Sequence, residues 1–238
     1  MSNRGHLAIL GASGHGKVVA DIAMQSGWRE VTFYDDAWPD RTRLEHWSVR
    51  GDIEGLLTRL SRFDGVVVAI GNNAVRQAKL ERLADADARL ATLVHPRATV
   101  SPLARLGAGT VVVAGAVVNA FAELGPGSIV NTGATVGHDC RLDACVHVAP
   151  GANVAGDVSV GRGSWIGVGA AVRQGVHIGE AVMVGAGAAV VADIADGLTV
   201  AGVPARPLSA DAASASLTAP RDASTRRRLG LASSQGRS

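Results

Sequence analysis

The sequence has 238 residues; 47% are hydrophobic but only 3% are aromatic, so its core must be built from aliphatic side chains. The net charge of +2 gives no electrostatic reason to expect a nucleic-acid or membrane partner. No run of 18 apolar residues suggests a membrane span, and the N-terminus lacks a signal-peptide stretch, so a cytoplasmic protein is expected.

Near the N-terminus, the segment GASGHGKVV (11–19) lies between an apolar run and a helix-forming stretch. It is close to a triphosphatase loop, but that loop needs Ser or Thr after its lysine to hold Mg²⁺, and Val18 stands there. A dinucleotide site is also conceivable, because Asp35 and Asp36 end the next predicted strand, although only one β-α-β-α-β half is present. In any case, such a turn offers backbone N–H groups to a phosphate.

The first ninety or so residues alternate apolar runs with helix-forming stretches. The strands are predicted at HLAIL, EVTFYDD and GVVVAIG. The helices are predicted at HGKVVADIAMQSG, DIEGLLTRLSRF and NNAVRQAKLERLADADA, the last capped by Asn72 or Asn73. This order predicts a small doubly wound sheet, a Rossmann-like half domain over residues 1–92.

A hexapeptide repeat fills most of the remaining chain. Every sixth residue from Val94 to Val190 is Leu, Ile or Val, with no interruption. A period of six fits neither a helix nor a simple strand, and it predicts a solenoid in which three hexapeptides close a coil of 18 residues. Glycines that follow many anchors, such as Gly107, are expected to allow positive φ at the turns. Such a solenoid can also be a scaffold without catalytic function.

Four polar residues stand out in the otherwise apolar, glycine-rich coils: Asn131, His138, Asp139 and His147. His138 falls near a predicted turn and should point outward. A histidine beside a carboxylate is a plausible general base, because imidazole titrates near neutral pH and the carboxylate stabilises its protonated form. The alternative is an ordinary surface histidine.

A zinc site and a disulfide are two further interpretations of these coils. His138, His147 and His177 are the candidate ligands, but their spacing does not make them converge within one chain. Cys140 and Cys145 have no second pair to complete a zinc site. They are expected to be reduced, small packing residues, and no metal is expected.

Five motifs in order, GASGHGKVV, FYDD, NTGATVGHDC, VHVAPGANVAGDV and VAGVPARPL, resemble those of the NeuD/PglD-type sugar acetyltransferases. The resemblance covers residues 7–208. It implies a left-handed parallel β-helix over 93–208, a homotrimer, and acetyl-CoA held in the groove between adjacent β-helices.

The resemblance also assigns site residues. It makes His138 the general base and Asp139 its acidic neighbour. Acetyl-CoA would contact Asn131, His147, Gly156, Val168 and Ala186, with Gly202, Pro204 and Ala205 in the closing motif. The nucleotide sugar would contact Ser13, Gly14, His15, Asp35, Asp36 and Asn72.

The implied reaction moves acetyl from acetyl-CoA to the amino group of a UDP-linked 4-amino-4,6-dideoxy sugar, for surface glycan or glycoprotein biosynthesis. Two alternatives stay open: O-acetylation of sialic acid or of a polysaccharide precursor, and a non-catalytic trimeric scaffold that binds a nucleotide sugar. The Ala/Ser/Arg-rich tail, 209–238, is expected to be disordered.

Overall fold

The computed structural model describes residues 4–208, so the prediction for the tail lies outside the described residues. The chain up to Pro207 forms one compact unit, in which an α/β part packs directly against a β-helix. The division between them after residue 92 stays a prediction.

The α/β part contains a three-stranded parallel sheet in the order β2-β1-β5, which confirms the half domain. Its elements are β1 Arg4–Leu10, α1 Gly14–Gln25, β2 Trp28–Tyr34, β3 Arg43–Leu44, β4 Trp47–Ser48, α2 Ile53–Leu57, a 3-10 turn Leu60–Arg62, β5 Gly65–Val68 and α3 Asn73–Asp85. As predicted, Asn72 caps α3, its Oδ1 accepting a hydrogen bond from the Val75 N–H at 3.0 Å.

The α/β part differs from the sequence prediction in two places. The small antiparallel hairpin β3–β4 was not predicted. The helix expected over DIEGLLTRLSRF ends at Leu57 and resumes only as a 3-10 turn. At the break, the Arg59 N–H donates to the Leu56 carbonyl at 2.9 Å, and the Gly55 carbonyl that it would meet in a continued helix accepts from the Thr58 hydroxyl at 3.0 Å.

The rest of the described chain is a left-handed parallel β-helix of three flat faces. We call them face 1 (β6, β9, β12, β15, β18, β21, β23, β24), face 2 (β7, β10, β13, β16, β19, β22) and face 3 (β8, β11, β14, β17, β20). The strands are β6 Leu93–Val94, β7 Thr99–Val100, β8 Arg105–Leu106, β9 Val111–Val112, β10 Val117–Val118, β11 Glu123–Leu124, β12 Ile129–Val130, β13 Thr135–Val136, β14 Arg141–Leu142, β15 His147–Val148, β16 Asn153–Val154, β17 Ser159–Val160, β18 Trp165–Ile166, β19 Ala171–Val172, β20 His177–Ile178, β21 Met183–Val184, β22 Ala189–Val190, β23 Thr199–Ala201 and β24 Arg206–Pro207.

The coil length is the predicted one. Val112, Val130 and Val148, each 18 residues after the last, are paired partners on face 1 and are fully buried. The aliphatic anchors of the three faces therefore stack in one core, and this core carries most of the stability of the β-helix.

The expectation for the glycines that follow the anchors was wrong. Gly107 does not have a positive φ. Instead, a Cβ atom there would lie 2.5 Å from the backbone nitrogen of Pro126 in the next coil. These glycines therefore allow adjacent coils to approach, while positive φ occurs two residues later, as at Gly109 with φ +73°.

Helix α3 lies along the corner between faces 3 and 1. The same corner position of four successive coils is occupied by Gly109, Gly127, Cys145 and Gly163. Leu80 of α3 occupies the space that the first two leave, since a Cβ at 127 would lie 2.2 Å from its side chain. The α/β part is thereby seated on face 1 and on this corner.

Candidate functional site

The Gly-rich loop after β1 forms a turn that faces the carboxyl ends of the parallel strands. Gly11 has φ +115° and donates its N–H to the Tyr34 carbonyl at 2.8 Å. A Cβ at Gly16 would lie 2.3 Å from the Gly11 carbonyl oxygen, so only glycine lets the loop close on the helix. The N-terminus of α1, where the first N–H groups have no helical partners, therefore lies beside the crevice that Ser13 and Gly11 line, as an anion site requires.

Lys17 does not serve this loop as a triphosphatase lysine would. Its ammonium group pairs with Glu45 at the surface. The Lys17 contact accordingly lowers the pKa of Glu45. The lysine is engaged elsewhere, which agrees with the missing Ser or Thr at Val18.

The crevice beside the loop is lined by Leu10, Gly11, Ser13, Asp35, Asp36, Ile70 and Lys79. The two aspartates have different surroundings. Asp35 accepts hydrogen bonds from the N–H groups of Ala12 at 2.6 Å and Ala37 at 2.9 Å, so it holds the loop in shape. Asp36 forms an ion pair with Lys79 of α3 and is the carboxylate left at the crevice.

A second group of site residues lies where α1 meets face 1. The ring centroids of His15 and His147 are 6.4 Å apart, and Trp165 packs on His147 with centroids 4.0 Å apart. Asn131 Nδ2 lies 3.1 Å from His147 Nε2. The structure thus brings three predicted residues, His15, Asn131 and His147, together with Trp165, which the sequence analysis missed.

Both histidines of this group are neutral at physiological pH. Burial, and secondarily the charge of Arg76, lower the pKa of His15 to about 4. Burial is also the main cause that lowers the pKa of His147 to about 3, with contributions from Arg76 and His15 and an opposing interaction with the Gly71 backbone.

The hydrogen bonds of Asn131 define the tautomer of His147. Asn131 Oδ1 accepts from the Thr132 N–H at 2.8 Å, so its Nδ2 donates to His147 Nε2. The proton of the neutral ring is therefore on Nδ1, and the Gly71 backbone interacts with the same ring. His15 Nε2 is buried without a hydrogen-bond partner, which is unusual for a polar atom.

The predicted catalytic pair is in contact and exposed. His138 Nδ1 lies 2.7 Å from Asp139 Oδ2, and their side chains are 68% and 55% exposed. Asp139 occupies the left-handed turn position with φ +59°, which turns its carboxylate back toward the ring. The groove beside them is lined by Phe121, Glu123, Arg141, Asp157, Val158 and Ser159.

Gly156, one coil further along, makes room for the His138 ring. A Cβ atom there would lie 2.5 Å from His138 Nε2 and 2.6 Å from Cε1. Its φ is not positive, so space and not backbone conformation requires glycine at this position. Gly156 is therefore next to the predicted base in the same chain.

The predicted site is not assembled within one chain. His138 lies at the corner between faces 2 and 3, which in a triangular cross-section is opposite to face 1, where His147 lies. Val168 and Ala186 lie at a third corner, between faces 1 and 2. Gly202, Pro204 and Ala205 follow β23, and the Ala205 N–H donates to the Ala189 carbonyl at 2.8 Å.

Two of the residues predicted to contact the nucleotide sugar, Ser13 and Gly14, are exposed at the start of α1, while Asn72 uses its side chain as a helix cap.

Among residues 4–208, no three His, Cys, Asp or Glu side chains converge as metal ligands. His177, one of the candidate zinc ligands, instead forms a hydrogen bond with Ser159 Oγ at 2.7 Å.

The helices within residues 4–208 are all too short or too polar to span a membrane.

Comparisons with known proteins agree with this architecture. Residues 6–83 match the family model of the PglD N-terminal domain. A curated relative, the UDP-N-acetylbacillosamine N-acetyltransferase of Bacillus subtilis (strain 168), is 39% identical over 112 residues, which are 46% of this chain and 51% of that enzyme. The match thus spans about half the length of this relative.

Two solved structures match nearly completely. The acetyltransferase domain of PglB from Neisseria gonorrhoeae FA1090, in complex with acetyl coenzyme A, is 46% identical with a TM-score of 0.82, covering 87% of this chain and 100% of that one. PerB from Caulobacter crescentus, in complex with CoA and GDP-perosamine, is 39% identical with a TM-score of 0.82, covering 86% and 98%. This chain therefore belongs to the NeuD/PglD-type sugar acetyltransferase family.

Proposed function

We propose that the protein transfers acetyl from acetyl-CoA to the amino group of a nucleotide-linked amino sugar. The observation that carries the proposal is the exposed His138–Asp139 pair, whose ring lies over Gly156 at an open groove. Two relatives support it: one is named an N-acetyltransferase of a UDP-linked sugar, and the other holds CoA and GDP-perosamine.

His138 is the general base in this proposal. Its Nδ1–H donates to Asp139, so the lone pair of Nε2 is available to take a proton. As the sugar amine attacks the thioester carbonyl, Nε2 takes the proton of the amine and the C–N bond forms. The tetrahedral oxyanion then collapses, the C–S bond breaks, and the CoA thiolate receives the proton from His138.

Asp139 orients the ring and stabilises the imidazolium that exists between the two proton transfers. Transfer is direct, without an acetyl-enzyme. Cys140 is buried in the β-helix core, where its Sγ donates to the Ala155 carbonyl at 3.0 Å, and it is not a nucleophile. Burial also raises the pKa of the Cys140 thiol, which opposes thiolate formation.

The nucleotide occupies the crevice at the Gly-rich loop. The diphosphate faces the first turn of α1 at Ser13, Gly14 and His15, and Asp36 with Asn72 is near the base. Asp35 contributes by holding the loop. The acetyl-CoA groove is formed by Asn131, His147, Gly156, Val168 and Ala186, taken from more than one chain.

We propose that the protein assembles as a homotrimer, and the positions of these residues support a site shared between copies. His138 and the face that carries His147 are on opposite sides of the prism in one chain, so a complete site needs His138 of one copy beside the crevice of another. Three copies packed side by side around a threefold axis would form three identical sites. We further propose that the enzyme works in the cytoplasm, on precursors for polysaccharide or glycoprotein synthesis.

The test is thiol release from acetyl-CoA by wild type and His138→Ala. UDP-linked and GDP-linked 4-amino sugars, free sialic acid and buffer alone serve as acceptors, and mass spectrometry identifies the product. Release with one nucleotide-linked amine, lost in the variant, is expected. Release with sialic acid alone would favour O-acetylation, and ligand binding without any release would favour the non-catalytic scaffold.

A further inference from the structure

Arg76, in the first turn of α3, is the most deeply buried charged residue that the structure describes, with 1% exposure. It uses all five of its N–H groups. Nε donates to the Gly127 carbonyl at 2.8 Å, Nη1 to Ile70 and Gly71 at 2.9 and 3.0 Å, and Nη2 to Asn73 Oδ1 and the Cys145 carbonyl at 2.8 and 2.7 Å. With no donor left, Arg76 cannot bind a ligand directly.

The guanidinium also has no carboxylate partner within residues 4–208. Every acceptor it contacts is a neutral carbonyl or amide oxygen. A buried charge without a counter-ion reduces the free energy of unfolding by several kcal/mol, so a neutral side chain in a purely structural role would give a more stable fold. Both the charge and the five N–H donors of the guanidinium therefore require an explanation.

The contacts of Arg76 join the two halves of the proposed site. Ile70 and Gly71 form the loop after β5, and Ile70 lines the nucleotide crevice. Cys145 forms the β-helix turn two residues before His147. Asn73 extends the same connection to the next coil, where its Nδ2 donates to Gly163 and Ser164 carbonyls at 2.8 and 3.1 Å.

We propose that Arg76 is a positioning residue of the acceptor site: it locks the crevice loop to the turn that carries His147 and so sets the nucleotide at a fixed distance from that ring. This inference deepens the proposed function and rests on it. Its charge adds a second effect, because it acts electrostatically on both histidine rings and favours their neutral forms. The ionisable groups that interact here are Arg76, His15, His147 and the Cys145 thiol, with Glu81 and Arg162 acting on the thiol.

Two substitutions separate the effect of the charge from that of the five hydrogen bonds. Arg76→Lys keeps the charge but has at most three N–H donors, all on one nitrogen, whereas Arg76→Gln removes the charge and has two N–H donors. Arg82→Gln is the matched control, because Arg82 is on the same helix and pairs only with Glu54 at the surface. Each variant is first checked for folding by circular dichroism and thermal melting.

The KM for the nucleotide-linked acceptor should rise about tenfold or more in both Arg76 variants, with little change in the KM for acetyl-CoA, because a displacement of ~1 Å suffices for such an effect. In histidine-labelled protein, NMR titration should show the pKa of His147 rising in Arg76→Gln and staying low in Arg76→Lys. A merely structural role would lower the melting temperature and leave both readouts unchanged in the folded molecules.

Calorimetric binding of UDP and GDP to wild type and to the Arg76 variants separates a failure of this inference from a failure of the proposed function. Wild-type protein that binds neither would count against the proposed function. Wild-type protein that binds one nucleotide, with folded Arg76 variants that bind it equally tightly, would count against the role of Arg76 alone. Should both Arg76 variants fail to fold, Asn73→Ala removes one of its acceptors and should raise the acceptor KM by a smaller factor. Folded Arg76 variants with an unchanged acceptor KM would overturn the proposal, whether or not the His147 pKa has shifted.

Discussion

Gly156→Ala tests how closely the position of the His138 ring determines the rate. The added Cβ would lie 2.5 Å from His138 Nε2, whereas ordinary van der Waals contact begins at 3.4 Å. The ring must therefore retreat by roughly 1 Å, which is the difference between these two distances. A shift of that size in a catalytic group lowers kcat by about 100-fold.

The fold should tolerate this substitution. The His138 side chain is exposed and can rotate away, and Gly156 has no positive φ that would strain an alanine. We expect the free energy of unfolding to change by less than about 1 kcal/mol, as for other surface substitutions. Urea denaturation measures this, and thiol release at saturating acetyl-CoA and acceptor measures kcat.

Gln174→Ala is the matched control, because Gln174 is exposed at the same corner one coil further along. It should retain the wild-type kcat. A folded Gly156→Ala variant with an unchanged kcat would show that the position of the His138 ring over Gly156 does not determine the rate.

Three further changes have defined outcomes. Asp139→Asn should lower kcat by roughly 10- to 100-fold with little change in either KM, because the imidazolium loses its carboxylate; steady-state kinetics would contradict this if only KM moved. Because the pKa of His147 is about 3 and that of His15 about 4 in the folded chain, below their usual 6.5, unfolding takes up protons as the pH falls below 6.5. The free energy of unfolding should therefore be highest above pH 7 and decrease toward pH 4, by up to about 1.4 kcal/mol per pH unit for each ring. In His147→Gln, urea denaturation at several pH values should show a free energy of unfolding that depends less steeply on pH. Gly107→Ala should lower the free energy of unfolding by roughly 1–3 kcal/mol, because its Cβ meets the rigid backbone of Pro126 rather than a rotatable side chain; a stability like that of Gly156→Ala would contradict this.

The regular parts of the fold were predictable because they depend on local pattern. The period of six puts Val112, Val130 and Val148 one above the other without reference to anything outside the repeat. The helix cap is likewise a local signal: it was predicted at Asn72 or Asn73, and the structure has it at Asn72. The His138–Asp139 contact follows from adjacency plus a turn conformation that aspartate tolerates.

The other features depend on contacts between distant residues. Arg76 reaches Gly127 and Cys145, and no periodicity links a helix residue to those corners. Gly156 was predicted to contact acetyl-CoA, but its relation to His138 appears only once the coils are stacked. Asp35 was predicted to contact the nucleotide sugar; that it also holds the Gly-rich loop was not foreseen, because the contact depends on the carboxylate after β2 lying beside the loop after β1 in the sheet.

A subunit-mixing assay determines whether acetyl transfer occurs at a site shared by two copies. His138→Ala and His15→Ala chains, each inactive alone, are co-expressed with different tags, and mixed assemblies are purified and assayed for acetyl transfer. In every mixed threefold ring, one of the three shared sites has both residues intact, so about a third of wild-type activity should return. Mixed assemblies that stay as inactive as the parent variants would contradict the account, because the site would then be complete within one chain.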